Sequence, residues 1–184
     1  MQDHMLDLYT WARGWPRDYR GMGPNIVEIG VRTGNSTCAF LAALEIDRRG
    51  TLYSIDLDVP DVPDEWWKLD YWRFHQGDSR SLPARDWAPL EIDCLFIDGD
   101  HRFGYVMEDL RSWVPRVRKG GVILLHDTED YNHQPPFRSE VSMAIDSYIS
   151  EASTDDRPLE WRNKPGCYGL GIMRVREGGG IQAP

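Results

Sequence analysis

The chain has 184 residues, a length that suits one compact domain with a sizeable core. Its 21 Lys and Arg stand against 30 Asp and Glu, a formal net charge of -9 that repels phosphate backbones, and the one modest basic stretch, residues 111–119, falls on an expected helix end and turn; no nucleic-acid partner is expected. No apolar run reaches the roughly 18 residues of a membrane helix and no basic segment leads into a short apolar one, so the chain reads as soluble and cytoplasmic, with no membrane partner and no secretory signal.

The three cysteines, Cys38, Cys94 and Cys167, are odd in number and widely spaced, and read as buried thiols rather than a disulfide or zinc framework. In chain order, residues 5–15 alternate Leu6, Leu8, Tyr9, Trp11 and Trp15 with polar residues, which predicts an amphipathic helix within residues 2–15, stopped by Pro16. Residues 20–24 connect it to the first strand.

Residues 25–37, NIVEIGVRTGNST, are the stretch the chain is organised around. Ile26, Val27 and Ile29 surround Glu28 in a buried strand; Gly30 and Gly34 form a turn, with Val31 past its start; Ser36, Thr37 and the apolar residues 39–44 begin a helix. Glycines at such a bend give backbone freedom and let a ligand lie against the main chain, while the helix start offers unpaired N–H groups and a positive dipole end. An anionic or carboxylate-bearing cofactor is expected there. The dinucleotide fingerprint G-x-G-x-x-G fails, because the position two after Gly30 is Arg32. Glu28-Ile-Gly30 with Gly34 instead resembles the first motif of class I S-adenosylmethionine (SAM) methyltransferases. The resemblance implies that Glu28 faces the amino group of the methionine moiety, with Gly30, Gly34, Ser36 and Thr37 around the cofactor.

Arg48-Arg49-Gly50 reads as a basic helix end with a glycine stop. Residues 51–57 (TLYSIDL) predict the second strand, and Asp56 at its carboxyl end stands where nucleotide-binding sheets hold a ribose diol. Residues 59–72 carry Pro60, Pro63, Trp66 and Trp67, suited to covering an adenine or packing the sheet edge. A third strand at residues 72–76 ends in Gly77-Asp78-Ser79, and the resemblance makes Asp78 and Ser79 adenine contacts.

The second chemical centre is residues 92–101, IDCLFIDGDH. The apolar run 94–97 predicts a central strand that delivers Asp98, Asp100 and His101 past its tip, a cluster costly unless a cation neutralises it. A crossover helix is predicted at residues 105–117. Gly120-Gly121 then opens the strand 122–125, which ends in His126-Asp127, and neighbouring tips about 4.8 Å apart let Asp98 and Asp127 share one divalent ion beside Asp100. FIDGDH, a helix, and KGGVILLHD resemble the Mg²⁺-dependent macrocin/TylF-type O-methyltransferases and cephalosporin-hydroxylase-like proteins over residues 25–128. That likeness makes Asp98 and Asp127 metal ligands, places Asp98 at the cofactor as well, and gives Asp100 the general base, with His101 as base or ligand and His126 supporting the ligands from behind. One departure is Thr128, where those enzymes carry an Asn or Asp ligand; Glu129 and Asp130 are candidate substitutes.

Residues 128–138 read as a loop over the ligand, with His133, Phe137 and Arg138 as substrate contacts. A helix is predicted at residues 139–150, and strands 159–162 and 167–175 as an antiparallel hairpin about Pro165-Gly166. The expected fold is α/β: a doubly wound, Rossmann-like, mostly parallel seven-stranded sheet with a C-terminal antiparallel strand, the class I methyltransferase fold. It forms one domain over residues 1–177 followed by a flexible tail at 178–184. The expected function is SAM-dependent, Mg²⁺-assisted O-methylation of a small-molecule hydroxyl on a sugar or phenol, with a homodimer completing a site that has little sequence for a lid. Metal-independent methyl transfer and non-catalytic SAM binding are the alternatives. A metallophosphohydrolase would leave Glu28, Gly34 and Asp56 unexplained.

Overall fold

The computed structural model describes residues 4–13, 15, 23–81, 87–129, 138–154 and 156–176. In chain order the elements are α1 (Met5–Arg13), β1 (Asn25–Ile29), α2 (Asn35–Asp47), β2 (Thr51–Asp56), β3 (Trp72–Gln76), β4 (Ile92–Ile97), α3 (Phe103–Trp113), β5 (Val117–His126), α4 (Glu140–Ala152), β6 (Leu159–Lys164) and β7 (Leu170–Val175). They build one seven-stranded sheet in the order β3-β2-β1-β4-β5-β7-β6. The first five pair in parallel, β7 runs antiparallel to β5, and β6 antiparallel to β7.

The apolar runs of the central strands follow from burial on both faces. On one face Ile26, Cys94, Phe96, Val122 and Leu124 meet α1 and α2 through Leu8, Phe40 and Leu44. On the other, Val27, Leu95, Ile97, Ile123 and Leu125 meet α3 and α4 through Val106, Leu110, Trp113 and Ile145. Phe40 and Phe96 cross edge to face at 5.7 Å, both fully buried; truncating either to Ala costs about 3–5 kcal/mol. From β1 the chain builds β2 and β3 outward on one side, then returns from β3 to place β4 on the other side of β1. The order therefore reverses between β1 and β4, and a crevice opens at their carboxyl ends.

Three boundaries differ from those the sequence predicts. α3 ends at Trp113 rather than 117, because Pro115 cannot donate to the helical ladder and the chain tightens into a 3₁₀ turn over Val114–Arg116. β5 consequently starts at Val117, ahead of Gly120-Gly121; a Cβ at Gly121 would lie 2.6 Å from the Val117 side chain, where the register against β4 shifts. β7 begins at Leu170, since Cys167 (φ +44°) and Tyr168 (φ +69°) take left-handed backbone within the turn from β6. Of the cysteines expected to be buried, only Cys94 is; Cys38 is exposed on α2 and Cys167 half-buried in the turn. Trp66, Trp67, Trp72 and Phe74 form one aromatic cluster at the sheet edge. Pro16 and the tail at 178–184 lie outside the described residues.

Candidate active site

The turn after β1 is fixed from three sides. Gly30 has φ +90°, and a Cβ there would sit 2.3 Å from the carbonyl oxygen of Asp98. The space freed at Gly30 thus belongs to the β4 tip, a correction to the expectation that it receives a ligand. At Gly34 (φ +74°) a Cβ would lie 2.8 Å from both Val62 and Trp66, so this glycine accommodates the aromatic edge. The carboxylate of Asp56 accepts from the amides of Val31 at 2.7 Å and Arg32 at 3.0 Å. It ties the β2 tip to the turn and still lines the crevice.

Glu28 lies beneath this floor, with 0% exposure. Its carboxylate accepts from Ser36 Oγ (2.6 Å), Ser54 Oγ (2.6 Å) and Thr37 Oγ1 (2.9 and 3.0 Å). Burial pushes its carboxyl up to about 7 against the pull of those hydroxyls. Glu28, Ser36 and Thr37, expected around a cofactor, here satisfy one another. The carboxylate underpins the first turn of α2, whose Gly34 cap offers no side-chain acceptor, and complements its dipole. Ser36 also reaches the crevice; Thr37 is fully buried.

At the tips of β4 and β5 the structure gathers Asp98, His101 and Asp127, each offering one ligand atom, all within 4.8 Å of one another. His101 presents Nδ1 to Asp127 at 3.0 Å and Nε2 to Asp98 at 3.4 Å. His126, 6% exposed, brings Nδ1 to 3.4 Å from Asp98 and 3.3 Å from Asp127. Hydrogen bonds to Asp127 and then Asp98 raise His101 to about 9, against burial. Burial lowers His126, but the same two acids outweigh it and carry the ring to about 10. Asp127 is opposed by burial, yet both imidazoles hold its carboxyl well below the usual carboxylate range.

Asp100 does not join this group, a second correction. Its carboxylate is gripped by Arg102, with Nε donating at 2.9 Å, and is held down to about 2. So weak a base does not suit the proton-accepting role expected of it. Thr128 is also turned away: its hydroxyl donates to Asn163 at 2.6 Å under β6. Glu129 accepts from Asn163 at 2.7 Å and from the Gly166 amide at 3.2 Å. Neither enters the cluster of Asp98 and Asp127, whose third member is His101. Asp130, His133 and Phe137 lie outside the described residues, and Arg138 pairs with Asp146 on α4.

Two cavities meet at this edge. The larger, about 850 Å³, is lined by Ser36, His101, His126, Asp127, Glu129, Glu140 and Tyr168 among others. The smaller, about 440 Å³, runs over β1, β2 and β3 past Gly30, Asp56, Asp78, Ser79, Tyr105 and Asp109. Arg32, Asp98, Gly99, Asp100 and Arg102 border both. In the smaller lobe Asp78 is taken by Arg80, whose backbone N and Nε donate at 3.0 and 2.8 Å. Ser79 donates to Asp109 at 2.5 Å. Asp109 and His4 are the residues sequence reasoning missed. His4, buried, sets its ring 5.9 Å from that of His126, a contact between chain start and β5 that no local pattern announces. Asp109 falls on the inner face of α3, where an acid in an apolar stripe was the available signal.

A mostly parallel sheet with this strand order, its C-terminal strands antiparallel and a glycine turn after β1, matches the class I methyltransferase fold. Residues 27–128, just over half the chain, match the family described as Methyltransferase domain, and the chain belongs to that family. It is 37% identical over 91 residues to an uncharacterised protein of Acanthamoeba polyphaga mimivirus, a match that takes in 50% of this chain and 39% of that protein. Among solved structures it is similar to the MycE methyltransferase of the mycinamycin biosynthetic pathway in complex with Mg, SAH and mycinamycin VI, at 20% identity and a TM-score of 0.61 over 91% of this chain and 49% of that one. It is also similar to an SAH-bound methyltransferase of Podospora anserina, at 14% identity and a TM-score of 0.60 over 96% of this chain and 89% of that one. At such identities these likenesses speak for the fold. The chain spans about two fifths of the mimivirus relative and half of MycE. Among the described residues no helix is long and apolar enough to cross a membrane.

Proposed function

We propose that this protein is a SAM-dependent O-methyltransferase acting on a small-molecule hydroxyl with the help of a divalent cation. The observation that carries the reading is that the Asp98–His101–Asp127 cluster opens on the same crevice as the glycine turn and Asp56, with Asp98 bordering both lobes.

The residues fit both groups. For the cofactor, the smaller lobe pairs an apolar floor of Ile29, Ile55 and Leu57 with Asp56, one of whose carboxylate oxygens already fixes the turn and whose other, among the described residues, accepts only the Asp58 amide, at 3.2 Å. For the cation, Asp98 and Asp127 converge as the hard oxygen donors that Mg²⁺ takes, with the His101 imidazole beside them. A cation held there lowers the pKa of an acceptor hydroxyl, and the sulfonium cofactor supplies the methyl group. The chain's own part is to align the two lobes and to move a proton. His101, 47% exposed at the cavity wall, is the group able to accept the hydroxyl proton at a ring nitrogen once its acids have other work; His126 holds both acids from behind. With the cofactor bound, the acceptor oxygen would take its methyl group and leave the sulfide, and holding the two lobes side by side would be the chain's main contribution to the rate.

Calorimetry with SAH tests the cofactor, and Mn²⁺ binding followed by electron paramagnetic resonance tests the cation. SAH should bind with one-to-one stoichiometry and weaken in Asp56→Ala, and Mn²⁺ binding should vanish in Asp127→Ala. A wild-type protein that binds no SAH overturns the assignment. Methyl transfer that survives EDTA and Asp127→Ala makes the enzyme metal-independent.

A further inference from the structure

We propose that Asp109, on the inner face of α3, selects the base of the bound nucleoside by accepting the exocyclic amino group of adenine, a role the sequence suggests for Asp78. The inference rests on the reading that the smaller lobe holds an adenosine-containing cofactor.

Asp78 stands at the β3 tip, but its carboxylate is closed off: one oxygen accepts from the Arg80 amide and Nε, the other from the same guanidinium. The Arg80 guanidinium is itself held 4.1 Å over the ring of Tyr105. Asp109 is in the opposite condition. It is 3% exposed, lines the 440 Å³ lobe, and among the described residues accepts a hydrogen bond from Ser79 alone, at 2.5 Å. A carboxylate buried with one neutral donor is under-compensated, and Asp109 stands in the wall of the lobe. A ligand N–H₂ group is the donor that suits it.

The surroundings hold Asp109 ready for that use. The Ser79 carbonyl accepts from Trp113 Nε1 at 3.1 Å, so two residues of α3 grip Ser79 at both ends. Asp56 occupies the β2 side of the same lobe, with Ile55 and Leu57 beside it. One acid is therefore available for a ribose diol and another for a base, with apolar surface between for the rings.

The test compares SAH with S-inosylhomocysteine, whose base carries a carbonyl in place of the amino group, by calorimetry on the full chain. The wild type should favour SAH by about tenfold or more, the worth of one charge-assisted hydrogen bond. Asp109→Asn should abolish or invert that preference, because its amide can donate to the carbonyl, while Asp78→Asn should keep it. Asp109→Ser, which removes the accepting carboxylate with a smaller side chain, should likewise lose the preference and serves if the Asn variant fails to fold. An unchanged preference in Asp109→Asn or Asp109→Ser, or its loss in Asp78→Asn, overturns the proposal. A wild type that binds neither ligand removes instead the cofactor reading on which it rests.

Discussion

Two acids on adjacent strands, Glu28 of β1 and Asp98 just past β4, lie on either side of the crevice floor and are neutralised in opposite ways. Glu28 is enclosed by three buried hydroxyls. Asp98 shares with Asp127 two imidazoles, one of them half in solvent. Hydroxyl partners cannot titrate and have no route to exchange, so the first cluster is a fixed support. Imidazoles gain and lose protons, here at about 9 and about 10, and can release their acids to a competing cation. The first arrangement shapes the site and the second can do its chemistry.

The contrast breaks most sharply at Glu28. Glu28→Ala strands three buried hydroxyls and should cost about 3 kcal/mol or more in urea unfolding, with Glu28→Gln costing less; a loss under about 1 kcal/mol would remove the support role. Asp127→Ala should lower methyl transfer by about 10²-fold or more at saturating cofactor while leaving SAH affinity nearly unchanged. Equal losses in both would merge the two clusters into one.

The titration of the second cluster gives the next effect. His101 and His126 are raised in the folded state to about 9 and about 10, so their contribution is complete below about 6.5, the unfolded value, and is lost as pH rises through those folded values. Asp127 has the opposite sign: its contribution holds above the ordinary carboxylate range and disappears as pH falls well below it. In EDTA, the unfolding midpoint should therefore fall between pH 7 and 10, and Asp127→Asn should flatten that decline. Cation affinity should rise over the same interval, since protons leave the site as the ion enters.

Smaller effects sharpen the boundary. Asp56→Ala frees the amides of Val31 and Arg32 and should cost about 1–2 kcal/mol of stability together with a weakening of SAH binding. Thr128→Val removes one hydrogen bond to Asn163, worth about 1 kcal/mol, and should leave Mn²⁺ affinity where it was. A large change in that affinity would return Thr128 to the ion.

Much of this was legible in the residues. The alternation of the central strands across two cores, the glycine turn, and the acids at three strand tips all depend on neighbours close in sequence or on the fixed geometry of parallel strands. What was not legible depends on where a side chain turns once it is near the site. Asp100 and Asp78 each have an Arg two residues on that captures them, a pattern present in the sequence but outweighed by their strand-tip positions. Ser36 and Thr37 point down to Glu28 rather than up, which depends on the depth of β1 beneath α2. The pairing of His4 with His126 and the turn of Thr128 toward Asn163 join segments far apart in the chain, and neither has a local signature.

The contact between Gly30 and the Asp98 carbonyl has a mechanical meaning. Where a methyl group could not be inserted without collision, the partition separating the two compartments has no slack, and neither can be widened at the expense of the other. The separation of the two lobes is set there by the main chain itself. Any breathing needed for entry and exit must come from the outer walls, on the flanks of α4 and the β6–β7 turn, while the ridge stays put.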